Sequence, residues 1–85
     1  STNALLRSRL AYINPDCDYE TWRDVVFAVL STRFTDAISI AESWSAGSSK
    51  FDQRAFNTLI DSYKAGSFSV GTIYYYSNLG GYRGN

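Results

Sequence analysis

The chain has 85 residues, with eight basic and eight acidic side chains and no formal net charge. That length allows one domain, and the neutral balance lacks the Lys and Arg excess behind tight, salt-dependent nucleic-acid binding. One cysteine, Cys17, and no histidine exclude an internal disulfide, leave no ordinary zinc ligand set and remove the usual general base.

A chain this short buries only roughly 60–65% of the surface its unfolded form exposes, so it needs a dense core. Hydrophobic residues at 45% and aromatics at 16% supply one. No apolar run approaches the roughly 20 residues that span a bilayer, and no signal peptide is visible. The lone thiol points to a cytoplasmic protein. A start at Ser1 without Met and a Gly-rich end suit a fragment, residues 1–85, of a larger protein.

An all-α, compact bundle of about five short helices is expected. The first runs from about Asn3 to Tyr12, with Leu6, Leu10 and Ile13 at helical spacing. Asn14-Pro15 ends it, because the residue before proline is pushed out of the helical region. Asp18 caps the second helix and Glu20 lies in its first turn, where the dipole favours an anion. Tyr19, Trp22, Val25, Val26, Val29 and Leu30 form a broad apolar stripe. Residues 31–34 connect to a third helix from about Thr35 to Ser45, with Thr35 as cap, Asp36 in the first turn, and an apolar face of Ala37, Ile38, Ala41 and Trp44.

Ala46-Gly47-Ser48-Ser49 reads as a loop. Asp52 caps a fourth helix that ends near Lys64 and carries Phe56, Leu59, Ile60 and Tyr63 on one face. Asp61 and Lys64 are spaced for a surface pair worth about 0.2–0.5 kcal/mol. Ala65-Gly66 stops this helix. Ser69 caps a fifth, from about Val70 to Asn78, closed by Gly80-Gly81. On propensity, residues 67–76 also suit a strand, but a single short strand has no partner, and helix is the expectation.

Several residues admit a functional and a structural reading. Trp22, Trp44 and Tyr19 are expected in the core. Asp16 and Asp18 form a D-x-D pair of the kind that holds metals in polymerases. They stand just before a helix, where capping is expected. A calcium loop counted from Asp16 places Thr21 and Phe27 where Gly and Glu are required. Ser69, Gly71 and Thr72 open a helix whose N–H groups can meet a phosphate; an ordinary cap explains them as well. Tyr74, Tyr75 and Tyr76 span about 200° of helix, so at least one ring is expected to be partly exposed, able to stack on a base or to lie against a neighbouring domain or simply on the surface. Of the scattered cations, Lys50, Arg54 and Arg33 are the candidates for a phosphate-binding face; ordinary solvated charges are the other reading of these three and of the rest, Arg7 and Arg9 among them.

The order of these residues resembles the primase C-terminal domain of the second type. This is a small helix-bundle module found behind the polymerase core of viral, plasmid and prophage primases, often ahead of a helicase domain. Leu10 to Asp16 looks like its opening helix and I-x-P-D turn. Tyr19-Glu20-Thr21-Trp22 matches Y-x-x-W, and Val25 to Leu30 continues like V-x-x-A-L. Trp44-Ser45 matches W-S, residues 48–52 look like S-x-K-[YF]-D, and Val70-Gly71-Thr72-Ile73 resembles I-G-T-[IL]. The resemblance runs from about Leu6 to Tyr76. Leu59 or Ile60 stands where the family usually has a tryptophan.

The resemblance implies a non-catalytic accessory domain that assists a replicative DNA primase in binding nucleotide and single-stranded template. Its partners would be the catalytic core and helicase of the same parent chain, with no membrane. No cofactor would belong to the domain itself; ATP with magnesium would belong to the parent. The other reading is a structural module linking core to helicase, without nucleic-acid binding of its own.

Overall fold

In the computed structural model, which describes residues 2–84, five helices and their loops are built around one apolar cluster. Helix α1 (Thr2–Leu10) buries Leu6 and Leu10. Its end tightens into a turn in which the Tyr12 and Ile13 N–H groups donate to the carbonyls of Arg9 and Leu10. The helix therefore stops two residues before the expected Tyr12, since such i→i+3 bonds satisfy the last carbonyls.

Helix α2 (Tyr19–Leu30) is the centre of the molecule and packs against both α3 (Ala37–Ser45) and α5 (Gly71–Leu79). The Asp18 carboxylate caps it as expected, accepting the Thr21 N–H at 3.0 Å. Val25, Val26, Ala28 and Val29 are wholly buried. The Ser31 and Thr32 hydroxyls donate to the carbonyls of Ala28 and Val29 at 2.6 and 2.7 Å, closing the C-terminus. Arg33 then turns the chain with φ 60°, a left-handed conformation unusual for a residue with a β-carbon.

Two expectations for α3 are corrected. Thr35 does not cap it: Asp36 holds the boundary, and its carboxylate is turned away to accept from the Asn3 side-chain amide at 2.9 and 3.0 Å, with Arg7 at 3.9 Å. The buried face is Ala37, Ile40, Ala41 and Ser45, with Trp44 packed beside it, while Ile38 is 51% exposed. Positions 37, 40, 41 and 44 share one face of a 3.6-residue helix; position 38 lies about 100° away.

Helix α4 (Gln53–Ser62) is capped by Asp52, which accepts the Arg54 N–H at 3.1 Å. It buries Phe56 and Leu59 and packs against α3. At Tyr63 the backbone becomes extended, ψ 136°. Lys64 thus leaves the helix, and the expected pair with Asp61 is not among the ion pairs of the described residues.

Residues 67–70 hold no strand. Ser69 does not cap α5 as expected: Val70, already helical in dihedral, holds the boundary without a side-chain cap bond, and Ser69 Oγ accepts the Gly71 N–H at 3.3 Å. Helix α5 ends in a Schellman turn: Gly81 takes φ 102°, the Tyr82 N–H donates to Ser77 O and the Gly81 N–H to Asn78 O. Packing of α1 on α5 completes the bundle. The radius of gyration, 11.8 Å, matches the roughly 12 Å of a compact chain this long.

Candidate functional site

Each tryptophan ties two elements together. The Trp44 indole N–H donates to the Ile13 carbonyl at 2.8 Å, and that of Trp22 to the buried Ser45 Oγ at 2.8 Å. Both rings pack partly buried against the core. Tyr19 departs from expectation: it is 63% exposed, its ring meeting Trp22 edge-on at 5.6 Å. As the first residue of α2 it lies beyond the reach of the core that begins at Trp22.

The D-x-D pair divides its work. Asp18 caps α2, whereas Asp16 reaches across to the α3–α4 loop. It accepts from Ser48 Oγ at 2.7 Å, the Ser49 N–H at 3.0 Å and Ser49 Oγ at 3.1 Å. The Ser48 hydroxyl first, then the Ser49 N–H, hold the Asp16 carboxyl below its ordinary range; hydrogen bonds from Thr21 lower Asp18. Lys50 Nζ donates to the Cys17 carbonyl at 3.3 Å on the same clasp. Cys17 is half-buried, and burial pushes its thiol up.

Beside this clasp, Pro15, Tyr19, Trp22, Phe51 and Lys50 line a hollow of about 350 Å³. A second hollow holds Arg54, Thr58 and Ser62. Tyr19, Asp52 and Ala55 border both, so the exposed tyrosine stands at the seam with Lys50 to one side and Arg54 to the other. That combination of aromatic face and flanking cations is the chemistry of base stacking with phosphate contact.

The remaining candidates lie elsewhere. Ser69, Val70 and Tyr74 line a third hollow of about 460 Å³, with Leu5, Phe34 and Phe68. Arg33 is adjacent in sequence to two of its lining residues, Thr32 and Phe34. Lys50 and Arg54 are thus on one face, and Ser69 and Tyr74 on another. Tyr74 and Tyr75 are 42% and 60% exposed, while Tyr76 packs on the core. The Gly71 N–H is occupied by Ser69 Oγ and the Thr72 N–H by the Ser69 carbonyl. Arg33, Arg54 and Lys64 have no ion-pair partner among the described residues, unlike Arg7 and Arg23.

Arg9 is not a solvated charge but part of the α1–α5 contact. Its guanidinium lies 4.2 Å from the ring centres of both Tyr74 and Tyr82 and donates to Ser77 Oγ at 2.8 Å and Asn78 Oδ1 at 3.2 Å. Its buried Nε has no hydrogen-bond partner. No local pattern announced this, because its partners are 65 to 73 positions away in sequence.

The arrangement defines a small α-helical bundle with an aromatic and cationic face. The family model for Primase C terminal 2 (PriCT-2) matches residues 6–77, and the chain belongs to that family: it is a primase C-terminal domain. The resemblance read over Leu6 to Tyr76 is borne out. No curated protein and no solved structure gives a significant match. Among the described residues, no helix is long and apolar enough to cross a membrane.

Proposed function

We propose that this domain is a non-catalytic accessory of a replicative DNA primase, binding nucleotide and single-stranded template during primer initiation while another domain performs phosphoryl transfer. The catalytic core and a helicase of the same parent chain are its partners, and the parent supplies ATP with magnesium. The observation that carries the reading is Tyr19, 63% exposed at the seam between the hollows of Lys50 and Arg54. An exposed ring stacks on any base, and each such stack is worth about 1–3 kcal/mol. With zero net charge, binding by the isolated domain is weak.

The test is an amide-resonance titration with ATP-magnesium and then a short mixed-sequence oligonucleotide. Shifts clustered on Tyr19, Lys50 and Arg54 support the reading, and shifts at Ser69, Gly71, Thr72, Arg33, Tyr74 or Tyr75 extend it to the third hollow. No shift at millimolar ligand rejects it. That outcome favours the second reading, a module docking the primase core to the helicase. Exposed Leu5, Val70 and Tyr74 around the third hollow are the observation behind it.

A further inference from the structure

Resting on the nucleotide-binding reading, we infer that Asp52 selects the base, and that the base it selects is guanine. Asp52 precedes α4 and borders both hollows that meet at Tyr19. Its Oδ1 accepts the Arg54 N–H at 3.1 Å, which holds the carboxylate against the helix start and leaves that oxygen a second lone pair. Its Oδ2 accepts no hydrogen bond from the described residues, and Asp52 is exposed. Tyr19 and Asp52 line the same two hollows; in this inference a base on the Tyr19 ring turns an edge toward that acceptor, and Lys50 and Arg54, two residues to either side of Asp52, take its phosphate.

A carboxylate only accepts hydrogen bonds. Guanine alone presents two adjacent donors on one edge, N1–H and the N2 amino group, and so pairs with it through two parallel bonds. Adenine and cytosine set a ring-nitrogen acceptor beside their single amino group. Thymine flanks its one N–H with two carbonyls. Each of these three turns a lone pair toward the carboxylate.

The substitution that isolates this role is Asp52→Asn. Asparagine caps a helix as well as aspartate, so α4 keeps its start. Its side chain offers one acceptor and one donor, the complement of adenine.

Amide titrations with GMP, AMP, CMP and TMP, followed at Tyr19, Lys50 and Arg54, give the test. The wild-type chain is expected to bind GMP at least about fivefold more tightly than the other three, the low end for a bidentate pair. Asp52→Asn is expected to abolish that preference and favour AMP, with an unchanged melting temperature. Equal affinities for all four nucleotides in the wild type overturn the inference but leave the nucleotide-binding reading standing. So does a guanine preference that survives in Asp52→Asn. If none of the four shifts these amides, the inference falls; the nucleotide-binding reading falls with it only when ATP-magnesium and the oligonucleotide shift no amide either. Should Asp52→Asn lower the melting temperature, the wild-type ranking of the four nucleotides decides alone.

Discussion

Gly80 lies so close to Tyr12 that a β-carbon built on it would stand 1.9 Å from the Tyr12 carbonyl oxygen. The end of α5 and the turn after α1 therefore approach through bare backbone. Gly80→Ala must push them apart, at a cost of about 1–3 kcal/mol. For a domain this size each kcal/mol lowers the melting temperature by about 4–8 °C, which thermal denaturation will read. Gly81→Ala should cost about 1–2 kcal/mol for a different reason: its φ of 102° burdens any β-carbon, although nothing lies within 4 Å of the added atom.

The indole bonds are expected to matter more than the rings' partial burial implies. Trp44→Phe keeps an aromatic ring but leaves the Ile13 carbonyl without its 2.8 Å donor. Trp22→Phe does the same to Ser45, which is 1% exposed. Each should destabilise by about 1–3 kcal/mol, the cost of a buried polar group left unpaired. Urea unfolding curves with an unchanged slope and a lowered midpoint are the expected result.

Arg9→Lys tests whether geometry or charge matters at the α1–α5 contact. A lysine keeps the charge but has no planar fork to lie between Tyr74 and Tyr82 while reaching Ser77. Its stability should fall nearly as far as that of Arg9→Ala, by about 1–2 kcal/mol. A lysine variant as stable as the wild type would mean that charge alone suffices.

Acid should loosen the loop clasp. Asp16 and Asp18 are held below their ordinary value of 3.8 in the folded chain, so the unfolded chain takes up their protons first. Their stabilisation is fully present above about pH 4 and is lost as pH falls through the folded values. Melting temperatures measured from pH 6 down to pH 2 should drop in the acid range, and the drop should be shallower in Asp16→Ala.

Tyr19→Ala separates binding from stability. Because the ring is largely exposed, the melting temperature should change by the equivalent of about 0.5 kcal/mol or less. Affinity for a short single strand should fall by about 1–3 kcal/mol, roughly five- to 150-fold. A fully retained affinity would move the stacking surface to Tyr74 or Tyr75.

The order and nature of the five helices were legible in the chain itself. Asp18 and Asp52 are local capping signals, Asn14-Pro15 and Gly80-Gly81 are local stops, and the stripe from Trp22 to Leu30 repeats at the helical period. These features act within one or two turns of backbone, so sequence spacing suffices to read them, and the same ordered fragments carry the family resemblance. Tertiary structure alone decided which residues meet. It placed Tyr19 outside the core, exchanged Ile38 for Ile40, sent Asp16 to a loop 32 positions away and put Arg9 between two tyrosines. It also divided the candidate contacts, with Lys50 and Arg54 on one face and Ser69 and Tyr74 on another. A hydrogen bond or a stacked ring depends on distance in space, and only the packing of the helices on α2 sets that distance between residues far apart in the chain.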